Sequence, residues 1–213
     1  MDARKVLWAA VAALAITGTA AATPPPGTPF DSLGTFPAHS ATRPAVGLRL
    51  GSFHVQLEQT TLFDVMAAVG RGAIAHQGDA GGSEYWLCYT LPLRTLYARI
   101  WLSSGEMGGD RHDVEEVDLR PWRKGPSADC PMLPDRLRPF SIHGTLGLGS
   151  TAGAVHATLG APSQTLGHWQ AFNFDTKIKS GCPPDGFDVE NWVGLRIQNG
   201  RVTALSAGQI SSC

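Results

Sequence analysis

The chain has 213 residues, of which 43% are hydrophobic and 16% are charged, and its formal net charge is −1. This near-neutral balance argues against nucleic acid as an electrostatic partner, because such partners are held by many Lys and Arg side chains. The composition is that of a folded globular protein.

The first segment, residues 1–22, is predicted to be a secretory signal peptide. Arg4 and Lys5 supply its positive start, and residues 6–16 form a short apolar core. Ala20–Ala22 fit an A-x-A cleavage motif. The apolar run is shorter than the roughly 20 residues that span a bilayer. We therefore expect a protein without membrane insertion that is periplasmic or secreted.

The next segment, residues 23–45, is rich in proline, threonine, serine and glycine. It has little apolar surface with which to offset the entropy lost on ordering, so the composition predicts a flexible or extended arm. A ligand for a proline-recognition module is the alternative. The composition leaves open whether the arm docks onto the folded part of the chain.

A short helix is predicted at residues 60–70, after a strand-like stretch at residues 46–59. Thr61 can cap the first turn, and Asp64 three residues later completes a capping box. Gly70 can adopt the left-handed conformation that ends a helix.

A second helix with the same design is predicted about 90 positions later, at residues 150–162. Thr151 stands at its cap, Gly160 at its end, and Pro162 prevents continuation. Similarity at a fixed spacing is typical of repeated structural units.

Strand-like runs follow each helix, with aromatic and β-branched residues alternating with polar ones. Asn199-Gly200 joins the last two runs and is a strong hairpin signal. In the first copy the runs are 85–90, 96–103 and 114–119, and in the second they are 169–174, 192–198 and 201–206.

The predicted fold class is therefore α+β, with two tandem units. Each unit has one helix and an antiparallel meander of three to four strands. The first unit spans residues 46–120, the second spans 140–213, and the proline-rich residues 121–139 link them.

Four cysteines are expected to form disulfides, because an even number in an exported chain is typical of an oxidising compartment. Three pairings are possible. We favour Cys88–Cys130 and Cys182–Cys213, because each bond then ties a point near the start of one unit's meander to the segment beyond the last strand of the same meander. A metal site is disfavoured by the lack of any C-x-x-C pair.

The sequence around the second helix resembles the family of β-lactamase inhibitor protein, which also includes small outer-membrane assembly lipoproteins. The first unit matches more weakly, through Thr61, Val65 and Gly70. In inhibitor-type members two tandem units form one curved sheet whose concave face grips a partner protein, so the resemblance implies that architecture here. Inhibitory activity itself does not carry over, because no contact residues can be matched. The residues that carry the resemblance are Gly149, Thr151, Val155, Leu159, Gly160, Pro162, Asn199, Gly200 and Val202.

Aromatic side chains on the predicted strands are candidates for a binding surface. Helices on one face of a sheet leave the other face open, and rigid aromatic side chains there suit binding hot spots. The alternative is that they pack a core or the joint between the units. The candidates are Tyr85, Tyr89, Tyr97, Trp101, Trp169 and Trp192.

We therefore expect an exported, monomeric, non-catalytic module that binds a protein partner not identified by the sequence, as an inhibitor or immunity-type factor would. No catalytic residue, metal or cofactor is predicted. The alternative is an envelope enzyme or a small-ligand-binding protein with a polar pocket near His112 or the loop at 177–179.

Overall fold

A computed structural model provides the structure of the protein. It describes residues 22–30, 45, 47–79, 81–179, 181–182 and 186–213. The predicted signal peptide up to residue 21 lies outside the described residues, as does most of the predicted arm.

The described part of the chain contains two short α-helices, two 3₁₀-helices at Glu106–Arg111 and Asp135–Leu137, and eleven strands. The α-helices are α1 (Leu62–Val69) and α2 (Ala152–Leu159). The strands are β1 (Gly47–Leu50), β2 (Phe53–Gln56), β3 (Ala75–Gln77), β4 (Glu84–Pro92), β5 (Tyr97–Ser104), β6 (Glu116–Trp122), β7 (Phe140–Ile142), β8 (Gln164–Leu166), β9 (Trp169–Ile178), β10 (Phe187–Gln198) and β11 (Arg201–Ser212).

The N-terminal caps of both helices form as the sequence predicts. The hydroxyl of Thr61 accepts a hydrogen bond from the backbone N–H of Asp64 at 3.0 Å, and the Asp64 carboxylate accepts from the Thr61 N–H at 3.0 Å. In α2 the hydroxyl of Thr151 accepts from the N–H of Ala154 at 3.1 Å. These contacts satisfy donors that the first turn of a helix leaves free.

Glycine ends both helices, as predicted. Gly70 ends α1 in the left-handed conformation, with a φ of 78°, whereas Gly160 ends α2 with a φ of 83° and a ψ of −155°, outside the left-handed helical region expected there. Asn199 and Gly200 both have positive φ, at 50° and 72°. That combination is the one a two-residue hairpin turn requires, and it joins β10 to β11.

Eight strands form one antiparallel sheet in which the two halves of the chain meet at the centre. The strand order is β3-β4-β5-β6-β11-β10-β9-β8. The central pair is β6 with β11, where Leu119 lies opposite Leu205. Each half thus contributes a helix followed by four strands, and the last strands of the two halves join.

A smaller sheet has the order β2-β1-β7. The stretch at 46–59, expected as one strand, is a hairpin because Gly51 turns the chain with a φ of 58°. Ile142 in β7 pairs with Leu48 in β1, so the two halves of the chain are also joined here.

One continuous cluster of buried apolar side chains fills the space between the helices and the large sheet. It includes Val65 of α1 and Val155 of α2 together with strands of both halves. The two halves share this cluster, because the pairing of β6 with β11 makes a single layer on which both helices pack. The division into units at 46–120 and 140–213 stays a prediction.

The four cysteines form two disulfides. Cys88 pairs with Cys130, with their Cα atoms 4.7 Å apart, and Cys182 pairs with Cys213, with their Cα atoms 5.8 Å apart. This is the pairing favoured from the sequence.

Candidate functional site

The two faces of the large sheet differ. Alternation along β4 directs Leu87 and Tyr89 to the core beneath the helices, and directs Trp86 and Cys88 to the other side. We call this other side the helix-free face, because no described helix packs on it.

Two of the six predicted binding aromatics, Tyr85 and Tyr89, lie on the helix side, so their prediction as residues of the helix-free face was wrong. Tyr89 is fully buried, and its hydroxyl donates to the carbonyl of Arg71 at 3.0 Å. Burial raises the pKa of the Tyr89 phenol. Tyr85 packs against the core, and its ring lies tilted against that of His112, with ring centroids 4.1 Å apart.

Trp101 lies on the helix-free face but is only 1% exposed, so it cannot contact a partner. It packs in a small cluster with Trp86 and the Cys88–Cys130 disulfide. Its indole N–H donates to the carbonyl of Thr23 at 3.1 Å. The chain itself therefore occupies this part of the face.

Residues 22–30, which we call the docked segment, lie along the helix-free face. The carbonyl of Pro26 accepts a hydrogen bond from Arg120 at 3.2 Å. Phe30 is 5% exposed and meets Trp169 edge-on, with ring centroids 6.4 Å apart. A flexible or extended arm was expected at 23–45, and residues 23–30 of it are held on the sheet by these contacts.

Asp129 anchors the start of the docked segment. Its carboxylate accepts from the backbone N–H of Thr23 at 3.1 Å and from the Thr23 hydroxyl at 3.2 Å. Burial acts to raise the pKa of Asp129, but the hydrogen bonds from Ser127 and Thr23 outweigh it and leave the pKa below its ordinary value. The carboxylate is therefore held in its charged form.

Two arginines cover further aromatic rings of the helix-free face. Arg99 stacks on Trp122 at 4.0 Å from the ring centroid, and Arg120 lies over Trp169 at 4.8 Å. Tyr97 pairs with Trp122 across β5 and β6. Tyr97 and Trp169 are consequently half-buried.

Beside the docked segment, the helix-free face has an open concavity of about 320 Å³, which we call the hollow. Trp192, the last of the predicted aromatics, lines it and is half-buried. The full lining is Thr28, Phe30, Glu116, Ala171, Asn173, Glu190, Trp192, Gly194 and Ile210.

Two strand glycines give the aromatic rings of the hollow their positions. A Cβ atom at Gly208 would lie 2.6 Å from Cε2 of Trp192, so the indole ring can lie against β11 only because that residue is glycine. A Cβ atom at Gly194 would meet the ring of Phe30 at 3.6 Å. Glycine within a strand often marks such a close approach.

Polar groups of the hollow are acidic or accept hydrogen bonds. Glu190 is exposed, and Glu116 accepts a hydrogen bond from the Ser206 hydroxyl at 2.7 Å. Asp175 lies opposite Glu190 in the strand register, and burial raises the pKa of its carboxyl. Asn173 is 5% exposed, and its side-chain oxygen has no hydrogen-bond partner among the described residues. The hollow can therefore accept a group that donates hydrogen bonds.

Sequence reasoning missed Phe30, Glu116, Asn173 and Glu190 as site residues. Two signals were present. Phe30 is a large apolar residue within a proline-rich stretch, and Asn173 is a polar residue between Phe172 and Phe174 in a strand.

A second concavity, of about 430 Å³, lies on the helix side at one end of the sheet, and we call it the acidic cleft. It lies next to the region proposed for a polar pocket near His112. The His112 ring itself contacts Tyr85 and Phe63, and neither of these lines the cleft. The lining is Leu57, Glu58, Gln59, Met107, Gly108, Asp113, Glu115, Ile178, Phe187, Gln209 and Ser211.

Glu115 is the most deeply placed carboxylate of the cleft, with 5% of its surface exposed. Its Oε2 accepts a hydrogen bond from the N–H of Gly105 at 2.7 Å, while Oε1 has no hydrogen-bond partner within the described ranges. Burial raises its pKa to about 7, assisted by the charges of Glu58, Asp113 and Glu116 and opposed by the Gly105 hydrogen bond.

Within the described ranges, no three His, Cys, Asp or Glu side chains are arranged to hold a metal ion. No helix of the described part of the chain is long and apolar enough to cross a membrane.

Comparison with known proteins gives one structural likeness. No family model and no curated protein matches the sequence. The crystal structure of a Streptococcus mutans protein described as a "putative beta-lactamase inhibitor protein" matches with 10% identity and a TM-score of 0.22. The match covers 76% of this chain and 84% of that chain. At this TM-score the likeness carries no argument about function.

Proposed function

We propose that this chain is an exported, non-catalytic protein-binding module, and that the hollow beside Trp192 receives a side chain projecting from the partner protein. Such a module would act as an inhibitor of, or an immunity factor against, a protein of the cell envelope. The observation that carries the proposal is the hollow itself, which is open among the described residues on a face where the chain's own segment covers other aromatic rings.

The chemistry of the hollow supports a partner side chain with two properties. It has a flat or aliphatic part, and it donates hydrogen bonds. Trp192 and Phe30 offer apolar surface, and half-buried tryptophan is a frequent hot-spot residue. A donor from the partner that reaches the buried oxygen of Asn173 would stabilise the complex, because a buried acceptor without a hydrogen bond costs about 1–3 kcal/mol. Glu116 and Glu190 add negative charge, so a basic side chain fits best.

Export is supported by the two disulfides, because such bonds persist in oxidising compartments. The predicted signal peptide at residues 1–22 agrees with this. The same proposal includes the origin of the fold by duplication, since α1 with β3–β6 and α2 with β8–β11 follow the same order.

The experiment is affinity capture from an envelope extract, with identification of the captured protein by mass spectrometry and a binding curve for the purified partner. Trp192→Ala removes the aromatic wall of the hollow and is expected to weaken binding at least about tenfold. Phe63→Ala is the matched control, because Phe63 is an aromatic residue 50% exposed on α1. It should bind as the wild type does.

Gly208→Ala provides a second variant that reshapes the hollow without removing an aromatic ring. The added methyl group displaces the Trp192 indole, so binding should weaken while the protein stays folded by circular dichroism. Trp101→Ala is unsuitable, because Trp101 is buried under the docked segment. Equal affinity of the wild type, Trp192→Ala and Gly208→Ala for the same partner would refute the proposal.

A further inference from the structure

Thr23 of the docked segment is the residue that the predicted signal-peptide cleavage would make the first of the mature chain. The A-x-A motif ends at Ala22, so cleavage after it leaves Thr23 as the new N-terminus. The nitrogen of Thr23 is also the atom that lies 3.1 Å from Oδ2 of Asp129. The sequence motif and the structural contact are independent observations that fall on the same bond.

We infer that the Ala22–Thr23 peptide bond is the export cleavage site, and that the α-ammonium group released at Thr23 is bound by the carboxylate of Asp129. This rests on the proposed export of the protein. An export peptidase supplies the catalysis and water is the co-reactant. The water oxygen adds to the Ala22 carbonyl carbon, the C–N bond breaks, Ala22 leaves as a carboxylate, and the Thr23 nitrogen becomes an ammonium group.

The surroundings of Thr23 suit a positively charged terminus. Asp129 accepts from both the nitrogen and the hydroxyl of Thr23, so the residue is held at two points. The Thr23 carbonyl is fixed separately by the indole N–H of Trp101 at 3.1 Å. Cleavage converts a neutral amide donor in this place into a charged donor, and charge-assisted hydrogen bonds are roughly twice as strong as neutral ones.

Arginine side chains also contact the docked segment at and near Thr23. Arg99 donates hydrogen bonds to the Thr23 hydroxyl at 3.1 Å and to the Ser127 hydroxyl at 2.7 Å. Its positive charge and that of the new terminus are therefore both attracted to the Asp129 carboxylate. On the neighbouring strand Arg120 pairs with Asp118 at 2.5 Å, which balances that arginine. Two positive groups therefore face one carboxylate, and the expected gain from the ammonium group is moderate.

Cleavage would thereby complete the binding face. The segment held at Thr23 continues to Thr28 and Phe30, which line the hollow. Hydrolysis before folding frees the terminus to enter its place beside Asp129, and the wall of the hollow then forms on the mature chain.

The test compares two forms of the protein, released from a fusion partner so that one begins at Thr23 and the other at Ala22. At pH 6.5 the Thr23 form should melt about 2–4 °C higher. The form that begins at Ala22 is a stringent control. It keeps the Thr23 N–H and the contact of the Ala22 methyl group with the Trp86–Trp101 cluster, but it displaces the charge by one residue.

The pH dependence identifies the ammonium group. An unperturbed α-amino group has a pKa of about 7.7–8.0. Pairing with Asp129 raises that pKa in the folded state, so the stabilisation is fully present below about pH 7.7 and is lost as pH rises through the folded value. The difference in melting temperature should vanish at pH 10, and it should also vanish at pH 6.5 in Asp129→Asn forms of both chains.

Three results would overturn the inference. They are an exported protein whose first residue by mass spectrometry is not Thr23, equal melting temperatures of the two forms at pH 6.5, and a difference that persists at pH 10 or in Asp129→Asn. These measurements use no partner protein, so their outcome is independent of the capture experiment with Trp192→Ala. Either the cleavage inference or the binding proposal can therefore be refuted while the other is supported.

Discussion

At the level of a single residue, the buried carboxylate of Glu115 destabilises the folded protein when it is charged. It is nearly buried, one of its oxygens has no hydrogen-bond partner in the described part of the chain, and the charges of Glu58, Asp113 and Glu116 repel it. The nearby cation Arg111 pairs with Asp113 rather than with Glu115, at 3.3 Å. Folding therefore favours the protonated form of Glu115.

This predicts that the protein loses stability as pH rises from 5 to 8. The pKa of Glu115 is about 7 in the folded protein, compared with an ordinary value of 4.5. Below pH 4.5 the carboxyl is protonated in both the folded and the unfolded state, so it does not lower the free energy of unfolding. Above pH 7 it is charged in both states, and the full loss of stability is reached. Allowing for screening by water in the open cleft, we expect a cost of about 1–2 kcal/mol.

Glu115→Gln should remove that cost. Its side-chain oxygen can still accept from Gly105, so the variant should unfold at higher urea concentration than the wild type at pH 8 and at nearly the same concentration at pH 5. Glu190→Gln is the matched control, because Glu190 is exposed on the opposite face. A wild-type protein equally stable at both pH values would contradict the assignment.

At the scale of elements, local chemistry predicted the helices and the hairpin. Thr61 with Asp64, Gly70, and Asn199-Gly200 each act on backbone groups within a few residues, so the sequence pattern contains all that decides them. Their positions in the structure therefore agree with the prediction to within a few residues.

The faces of the strands could not be predicted in the same way. Alternation shows that Tyr85 and Tyr89 share one face of β4, but which face the helices cover depends on how distant elements pack. The docked segment was missed for a related reason. Proline-rich composition excludes regular pairing, but it does not exclude an extended chain held by side chains such as Trp101 and Asp129.

The two disulfides should differ in what they contribute to stability. Chain entropy gives about 4 kcal/mol for each, because the loops of 42 and 31 residues are similar in length. Cys88 and Cys130 are also buried under Trp101, whereas Cys213 is exposed. Replacing Cys88 and Cys130 by Ala should therefore cost about 1–2 kcal/mol more than replacing Cys182 and Cys213, through the cavity left behind.

Denaturant unfolding of the two double variants measures this difference. Reduction with dithiothreitol gives a second measurement, in which Cys182–Cys213 should open first because one of its sulfur atoms belongs to an exposed residue. If the variant lacking Cys182 and Cys213 were the less stable one, the packing of Trp101 on the other disulfide would not be a significant contribution.

At the scale of the whole molecule, the two halves behave as one structure because they share a sheet and a core. The pairing of β6 with β11 lies at the centre of the eight strands, and Leu205 is fully buried there opposite Leu119. Val65 of α1 and Val155 of α2 belong to the same buried cluster. A perturbation at the central pair should therefore reach both halves.

Leu205→Ala tests this coupling. The truncation leaves a cavity in a fully buried site, which costs about 2–5 kcal/mol. Hydrogen exchange in denaturant should show β4 and β9 losing protection together, at a lower denaturant concentration than in the wild type. Leu93→Ala is the control, because Leu93 is 40% exposed and its truncation should change little. If β9 lost protection while β4 kept it, the halves would unfold as separate units, as the sequence-based division at 121–139 implies.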